Sequence, residues 1–208
     1  MISTGEQRPP RRRLAMLIGV AATVLAADAA SKAAVVALLP GRPSVRLFGG
    51  LLTLMVTRNP GAAFGIGGPT ATVALTAIAT GMAVTIVRYS RHVSSIQWAV
   101  ALGLLLGGAM GNLADRLFRS PGPLQGWVVD WIRFPHWPTF NIADSAIICG
   151  TLLVAVLAAR GTAALDVHPA CGDGDHESGP SPVLAMVLVP VEPGPAPAPE
   201  SGGPAGPP

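Results

Sequence analysis

Residues 128–159 read "VVDWIRFPHWPTFNIADSAIICGTLLVAVLAA". From Ile142 onward the stretch is apolar, with one ionisable residue, Asp144, near its start. Crossing a bilayer takes roughly 20 such residues as a helix. A helix is also the form that satisfies every backbone group where water is absent. The preceding part carries Asp130 between Val129 and Trp131, and a further tryptophan at Trp137. The stretch therefore reads as a surface segment running into a membrane helix, with one aspartate on each side of the boundary.

Three more runs resemble this one. They lie at about residues 14–39 ("LAMLIGVAATVLAADAA…"), 69–87 ("PTATVALTAIATGMAVTIV") and 94–113 ("SSIQWAVALGLLLGGAMGNL"). With 142–159 they make four spans. The composition agrees: 50% of residues are hydrophobic and 12% charged, about half the charge of an ordinary soluble domain. The first run, preceded by "RRR", also has the outline of a secretory signal. Apolar character resumes after Lys32 with "AAVVALL", which favours a retained helix. Between the first two spans, "VRLFGGLLTLMVT" has the β-branched and apolar content of one or two short strands lying at the membrane surface. The expected fold is a mainly α membrane protein: four transmembrane helices with a small extracytoplasmic β element.

Charge gives orientation and domain limits. All 14 Lys and Arg fall within residues 1–160, against five acids there; residues 161–208 hold six acids and no Lys or Arg. Basic residues flank cytoplasmic ends of spans. The "RPPRRR" start, "RYSRH" at 88–92 and Arg160 are therefore expected inside, with segments 40–68 and 114–141 outside. Arg42, Arg46, Arg58, Arg116, Arg119 and Arg133 in those outer segments run against the rule, so the N-terminal cluster carries the assignment. The division expected is a basic cytoplasmic start (1–13), a four-helix domain (14–160), and a disordered acidic, Pro/Gly-rich cytoplasmic tail (161–208). Trp127, Trp131 and Trp137 suit interface anchors. The basic residues form no compact aromatic-rich surface, which argues against nucleic acid. Cys149 and Cys171 form no framework, and no Cys/His cluster suggests a metal or other cofactor.

The acids of the four-helix body are Asp28, Asp115, Asp130 and Asp144. Ionisable groups at membrane depth are costly and are usually paired or functional. Asp28 and Lys32 share a helix face at i,i+4, as an ion pair, as a brace for an outer site, or both. Asn112, Asp115 and Arg116 are close enough in sequence to serve one polar network, and Gly107, Gly108 and Gly111 permit close helix contact. Asp130 and Asp144 both fall near the outer surface. If they meet, one proton is shared between them, and such a pair can activate water and protonate a leaving amine. Spacing alone equally allows proton or cation gating in a small ion-coupled transporter.

The ordered set Asp28 with Lys32, "NPGAAFG" (59–65), "GGAMGNLADR" (107–116), "VVDW" (128–131) and "FNIADS" (140–145) resembles bacterial lipoprotein signal peptidase, or signal peptidase II, over roughly residues 14–160. That resemblance implies an aspartic endopeptidase of the cytoplasmic membrane with Asp130 and Asp144 as the catalytic dyad. Asn59, Gly108, Asn112, Arg116 and Asn141 take its substrate-positioning and bracing places. Asp28, Lys32 and Asp115 take its supporting ones, and 44–57 its small sheet. The implied substrate is a diacylglyceryl-modified prolipoprotein cut before the lipidated lipobox cysteine, and the implied inhibitor is globomycin. Membrane lipids would surround a chain able to act as a monomer. Two departures stand out: "IGGP" after Gly65 abbreviates an outer element, and Trp131 replaces a frequent phenylalanine.

Overall fold

The computed structural model describes residues 10–41, 43–60 and 69–165. The "GAAFG" part of the 59–65 motif, the abbreviated segment after it and the acidic tail from Asp166 lie outside the described residues.

Four helices are long and apolar enough to cross a membrane. They are α1 (Pro10–Leu38), α2 (Pro69–Tyr89), α3 (Ile96–Phe118) and α4 (Ile142–Ala159). Both α1 and α2 begin on proline, which costs nothing in a first turn because that N–H has no intrahelical acceptor. Helix α3 begins at Ser95, whose hydroxyl accepts from the Trp98 N–H at 3.2 Å. The termini differ from the sequence expectation by a few residues. The largest change is in α3, which continues to Phe118 and so holds Asp115 and Arg116 inside the helix.

Helix α3 is the hub, with α1, α2 and α4 each packed against it. Glycine explains how α1 and α4 come so close. A methyl group added at Gly103 or Gly107 would lie 2.8 Å or 2.7 Å from the α1 carbonyls of Leu17 and Ala21. One added at Gly108 would lie 2.5 Å from the Ala143 carbonyl of α4. Small residues at such crossings replace a hydrophobic driving force with close backbone packing.

The outer element is a three-stranded antiparallel sheet, ordered β1 (Val45–Leu47), β2 (Leu52–Asn59), β3 (Val128–Arg133). The one or two short strands expected in 44–57 are two, and they pair antiparallel as its first two strands. The third, β3, comes from the segment expected to be an outer loop. Beyond β3 the chain turns back: Trp131 and Ile132 donate to the Phe140 carbonyl at 3.0 and 2.9 Å, and Phe140 donates to Ile132 at 2.9 Å. This return brings the head of α4 beside the middle of β3.

Candidate active site

Each functional side chain is placed by a local rule. Asp130 sits opposite Thr57 in the sheet. Asn59 lies two residues beyond Thr57 on the same face, a diagonal neighbour of Asp130. Its amide donates to Asp130 Oδ2 at 3.1 Å. Asn141 is the N-cap of α4, and Asp144 is the third residue of its first turn. Together they form a reciprocal capping box: the Asp144 N–H donates to Asn141 Oδ1 at 2.9 Å, and the Asn141 N–H donates to Asp144 Oδ2 at 3.2 Å.

Asn141 also joins the two carboxylates. While its backbone N–H holds Asp144, its side-chain amide donates to Asp130 Oδ1 at 2.7 Å and to Asn112 Oδ1 at 3.2 Å. Asn112, on α3, donates to Asp144 Oδ1 at 2.7 Å. Both aspartates therefore hang from one asparagine framework. Asp130 is 2% exposed. Burial pushes its carboxyl up to about 6 from 3.8, and the nearby Asp144 carboxylate adds to the rise; bonds from Asn59 and Asn141 and the Lys32 charge partly oppose it.

Behind this framework lies a buried charge cluster. Lys32 Nζ is 2.7 Å from Asp28, 2.9 Å from Asp115 and 3.2 Å from Asn112 Oδ1, so all three ammonium hydrogens have an acceptor. With Lys32 and Asn141 both donating to Asn112 Oδ1, the Asn112 NH₂ must face Asp144. Asp28 accepts from the Ala143 N–H at 3.0 Å and Asp115 from the Val129 N–H at 3.1 Å. These two acids thus tie α1 to α4 and α3 to β3, next to the residues that carry the site. Asp115 also pairs with Arg119. Arg116 is buried; its Nη1 reaches the Asn112 carbonyl at 3.5 Å and its Nε has no hydrogen-bond partner among the described residues.

A cavity of about 550 Å³ opens onto this group. Asn59, Asn112, Arg116, Asp130 and Asp144 line its polar end. Its walls are apolar, from Leu75, Ile78 and Met82 of α2 and Ile147 and Ile148 of α4. Ile78 and Ile148 are 61% and 49% exposed on the outer faces of their helices, so the opening faces the bilayer. Every candidate site residue taken from the sequence falls in this assembly. Asn59, Asn112, Arg116, Asp130 and Asp144 line the cavity. Asn141 lies between the carboxylates, Gly108 lets α4 approach, and Asp28, Lys32 and Asp115 form the layer behind. Trp137 and Phe140 also line the cavity, beyond the anchoring role expected of Trp137. The signal for that was their place beside the Asn141 cap. Among the described residues all four acids gather at one end of the bundle, so they offer no polar path across it of the kind a transporter needs.

The chain matches known proteins over the same region. Residues 20–160 match the family described as Signal peptidase (SPase) II. Proteins named lipoprotein signal peptidase from Mycobacterium avium (strain 104) and Streptomyces griseus are each 48% identical, covering 76% and 73% of this chain and 87% and 76% of their own. Two solved bacterial membrane enzyme structures, at 2.3 and 1.9 Å by the in meso method, superpose with TM-scores of 0.61 and 0.60 at 27% and 28% identity. They cover 69% and 70% of this chain and 87% and 94% of theirs. Fold and relatives together define a multi-pass inner-membrane enzyme of the aspartic-peptidase class. Within it the chain belongs to the signal peptidase II family, and its function is to remove signal peptides from prolipoproteins.

Proposed function

We propose that Asp130 and Asp144 are the catalytic dyad, and that they cut a diacylglyceryl-modified prolipoprotein just before its lipidated cysteine. The observation that carries this is the asparagine framework. Asn141 holds both carboxylates at once, at the polar end of a cavity whose apolar walls open to lipid. A buried Asp130 and a half-buried Asp144 held by one asparagine share one proton. The ionised member takes a proton from water as it attacks the scissile carbonyl. The protonated member polarises that carbonyl and then delivers its proton to the leaving amine. The Arg116 Nε–H, unpartnered among the described residues, is suited to donate to a substrate carbonyl, and Asn59 and Asn112 orient the carboxylates.

Residues 14–160 are the catalytic unit and act as a monomer, since one chain supplies both aspartates. Residues 1–13 and 161–208 flank it on the cytoplasmic side, and the site lies at the extracytoplasmic face. A lipidated substrate reaches the aspartates sideways from the bilayer. Globomycin is the expected inhibitor, occupying the same cavity.

The test is cleavage of a diacylglyceryl-modified lipobox peptide by purified wild-type, Asp130→Asn and Asp144→Asn proteins. Each substitution is expected to lower kcat by at least about 10³-fold, on the order of a lost catalytic group, with membrane insertion intact. Near-normal cleavage by either variant removes that residue from the dyad.

A further inference from the structure

At the end of the bundle opposite the aspartates lies a second cavity that the cleavage reaction does not use. It is a furrow of about 750 Å³ between α1 and α3, and its walls include Met16, Gly19, Thr23 and Leu104, with Arg12 at its mouth. It exists because small residues follow one another along α1. Ala15, Gly19 and Thr23 recur every four residues and so share a face. All three are exposed. A methyl group added at Gly19 would meet nothing within 4 Å. The Thr23 hydroxyl donates to the Gly19 carbonyl at 2.8 Å, so it presents little free polarity to the furrow.

Length and charge both point to the occupant. From Arg12 to Val24 the furrow follows α1 for about 18 Å at the helical rise. One leaflet supplies about half of the roughly 30 Å hydrocarbon core, so the furrow matches a single acyl chain with its headgroup at the level of Arg12. Arg12 is exposed and makes no hydrogen bond or ion pair among the described residues. Arg11, Arg13, Arg88, Arg91 and Arg160 lie at the same end of the bundle, and no acid among the described residues does. A second copy of the chain packed here about a two-fold axis along the membrane normal would bring Arg12 against Arg12. A phosphate would not meet that repulsion.

We propose that this furrow binds one anionic phospholipid, with an acyl chain along Gly19 and the phosphate at Arg12. The assignment is separate from the peptidase site.

The test is native mass spectrometry of the full chain released from detergent after titration with dioleoylphosphatidylglycerol or dioleoylphosphatidylcholine. One phosphatidylglycerol is expected to remain bound where phosphatidylcholine is lost. Arg12→Gln should weaken its retention roughly fivefold, the effect of one basic residue at a lipid surface. Gly19→Leu should abolish retention by filling the furrow, with an unchanged melting temperature and unchanged peptide cleavage. Equal retention of the two lipids, or retention indifferent to both substitutions, overturns the proposal. So does a wild-type dimer that Gly19→Leu dissolves, which would give the furrow to a second copy. Arg12→Gln changes an exposed side chain, so the test stands even if Gly19→Leu fails to fold.

Discussion

Helices α2 and α3 are equally hydropathic over their most apolar windows, yet 67% of the α3 window is buried and 22% of the α2 window. Helix α3 packs against α1, α2 and α4 and carries Gly107, Gly108 and Gly111 at its crossings. It also supplies Asn112, Asp115 and Arg116 to the site. Helix α2 touches mainly α3, shows Ile78 and Val84 to lipid at 61% and 59% exposure, and supplies one apolar wall of the cavity. Its Thr76, Thr80 and Thr85 hydroxyls bond back to the carbonyl four residues earlier, at 2.7, 2.7 and 2.8 Å. The contrast teaches that hydropathy identifies spans but does not rank them. Position in the bundle is set by small residues that admit a neighbour and by polar side chains that find partners when buried.

Substitutions can break or sharpen that contrast. The largest expected effect is at the charge cluster on which the polar end of α3 rests. Lys32→Met leaves Asp28 and Asp115 buried without their shared cation, and breaking a buried pair costs about 3–5 kcal/mol. Thermal unfolding in detergent should show it, and a near-wild-type melting temperature would mean that α3 does not depend on this cation. Next is Gly108→Val, which drives a branched side chain into the Ala143 carbonyl of α4. Overpacking of this kind costs about 1–3 kcal/mol, and it should lower cleavage because Asp144 rides on the displaced helix.

A smaller effect concerns pH. Asp130 holds its proton up to about pH 6 when folded, against an ordinary 3.8. A raised acid binds its proton more tightly in the folded state, so its ionised form costs stability. That cost is fully present above about pH 6 and vanishes below 3.8. Asp130→Asn should therefore be more stable than wild type at neutral pH, and the advantage should shrink as pH falls from 6 towards 3.8. Melting temperatures across that range measure it; a constant difference would contradict the shift. The smallest effect is expected on α2. Val84→Ala at a lipid-facing position should change stability by under about 0.5 kcal/mol, and a large loss would show that α2 has a buried partner.

The spans, the Asp28–Lys32 pair and the short strands of 44–57 were legible in the sequence because each rests on local pattern: an apolar run, an i,i+4 spacing, a β-branched and apolar stretch around a glycine pair. The third strand was not. "VVDWIR" lacks clean alternation, and it becomes a strand because β2 offers an edge and Phe140 returns to pair with Ile132. The meeting of Asp130 and Asp144 was open for the same reason, since it depends on that return. One local signal did bear on it: Asn141 and Asp144 have the three-residue spacing of a capping box. It fixes where α4 starts and therefore where Asp144 sits. The bilayer-facing cavity had no sequence signature, because its walls come from apolar residues on two helices that look alike in composition to the rest of the spans.

The most direct test of the shared-proton pair is the pH dependence of kcat/KM for the lipidated peptide, taken from about pH 4 to about pH 9 with wild-type protein. A pair that works with one proton is inactive when both members are ionised. Since Asp130 titrates at about 6 beside Asp144, kcat/KM should fall above about pH 6, approaching tenfold per pH unit. A value that keeps rising from pH 6 to about pH 9 would contradict the one-proton dyad.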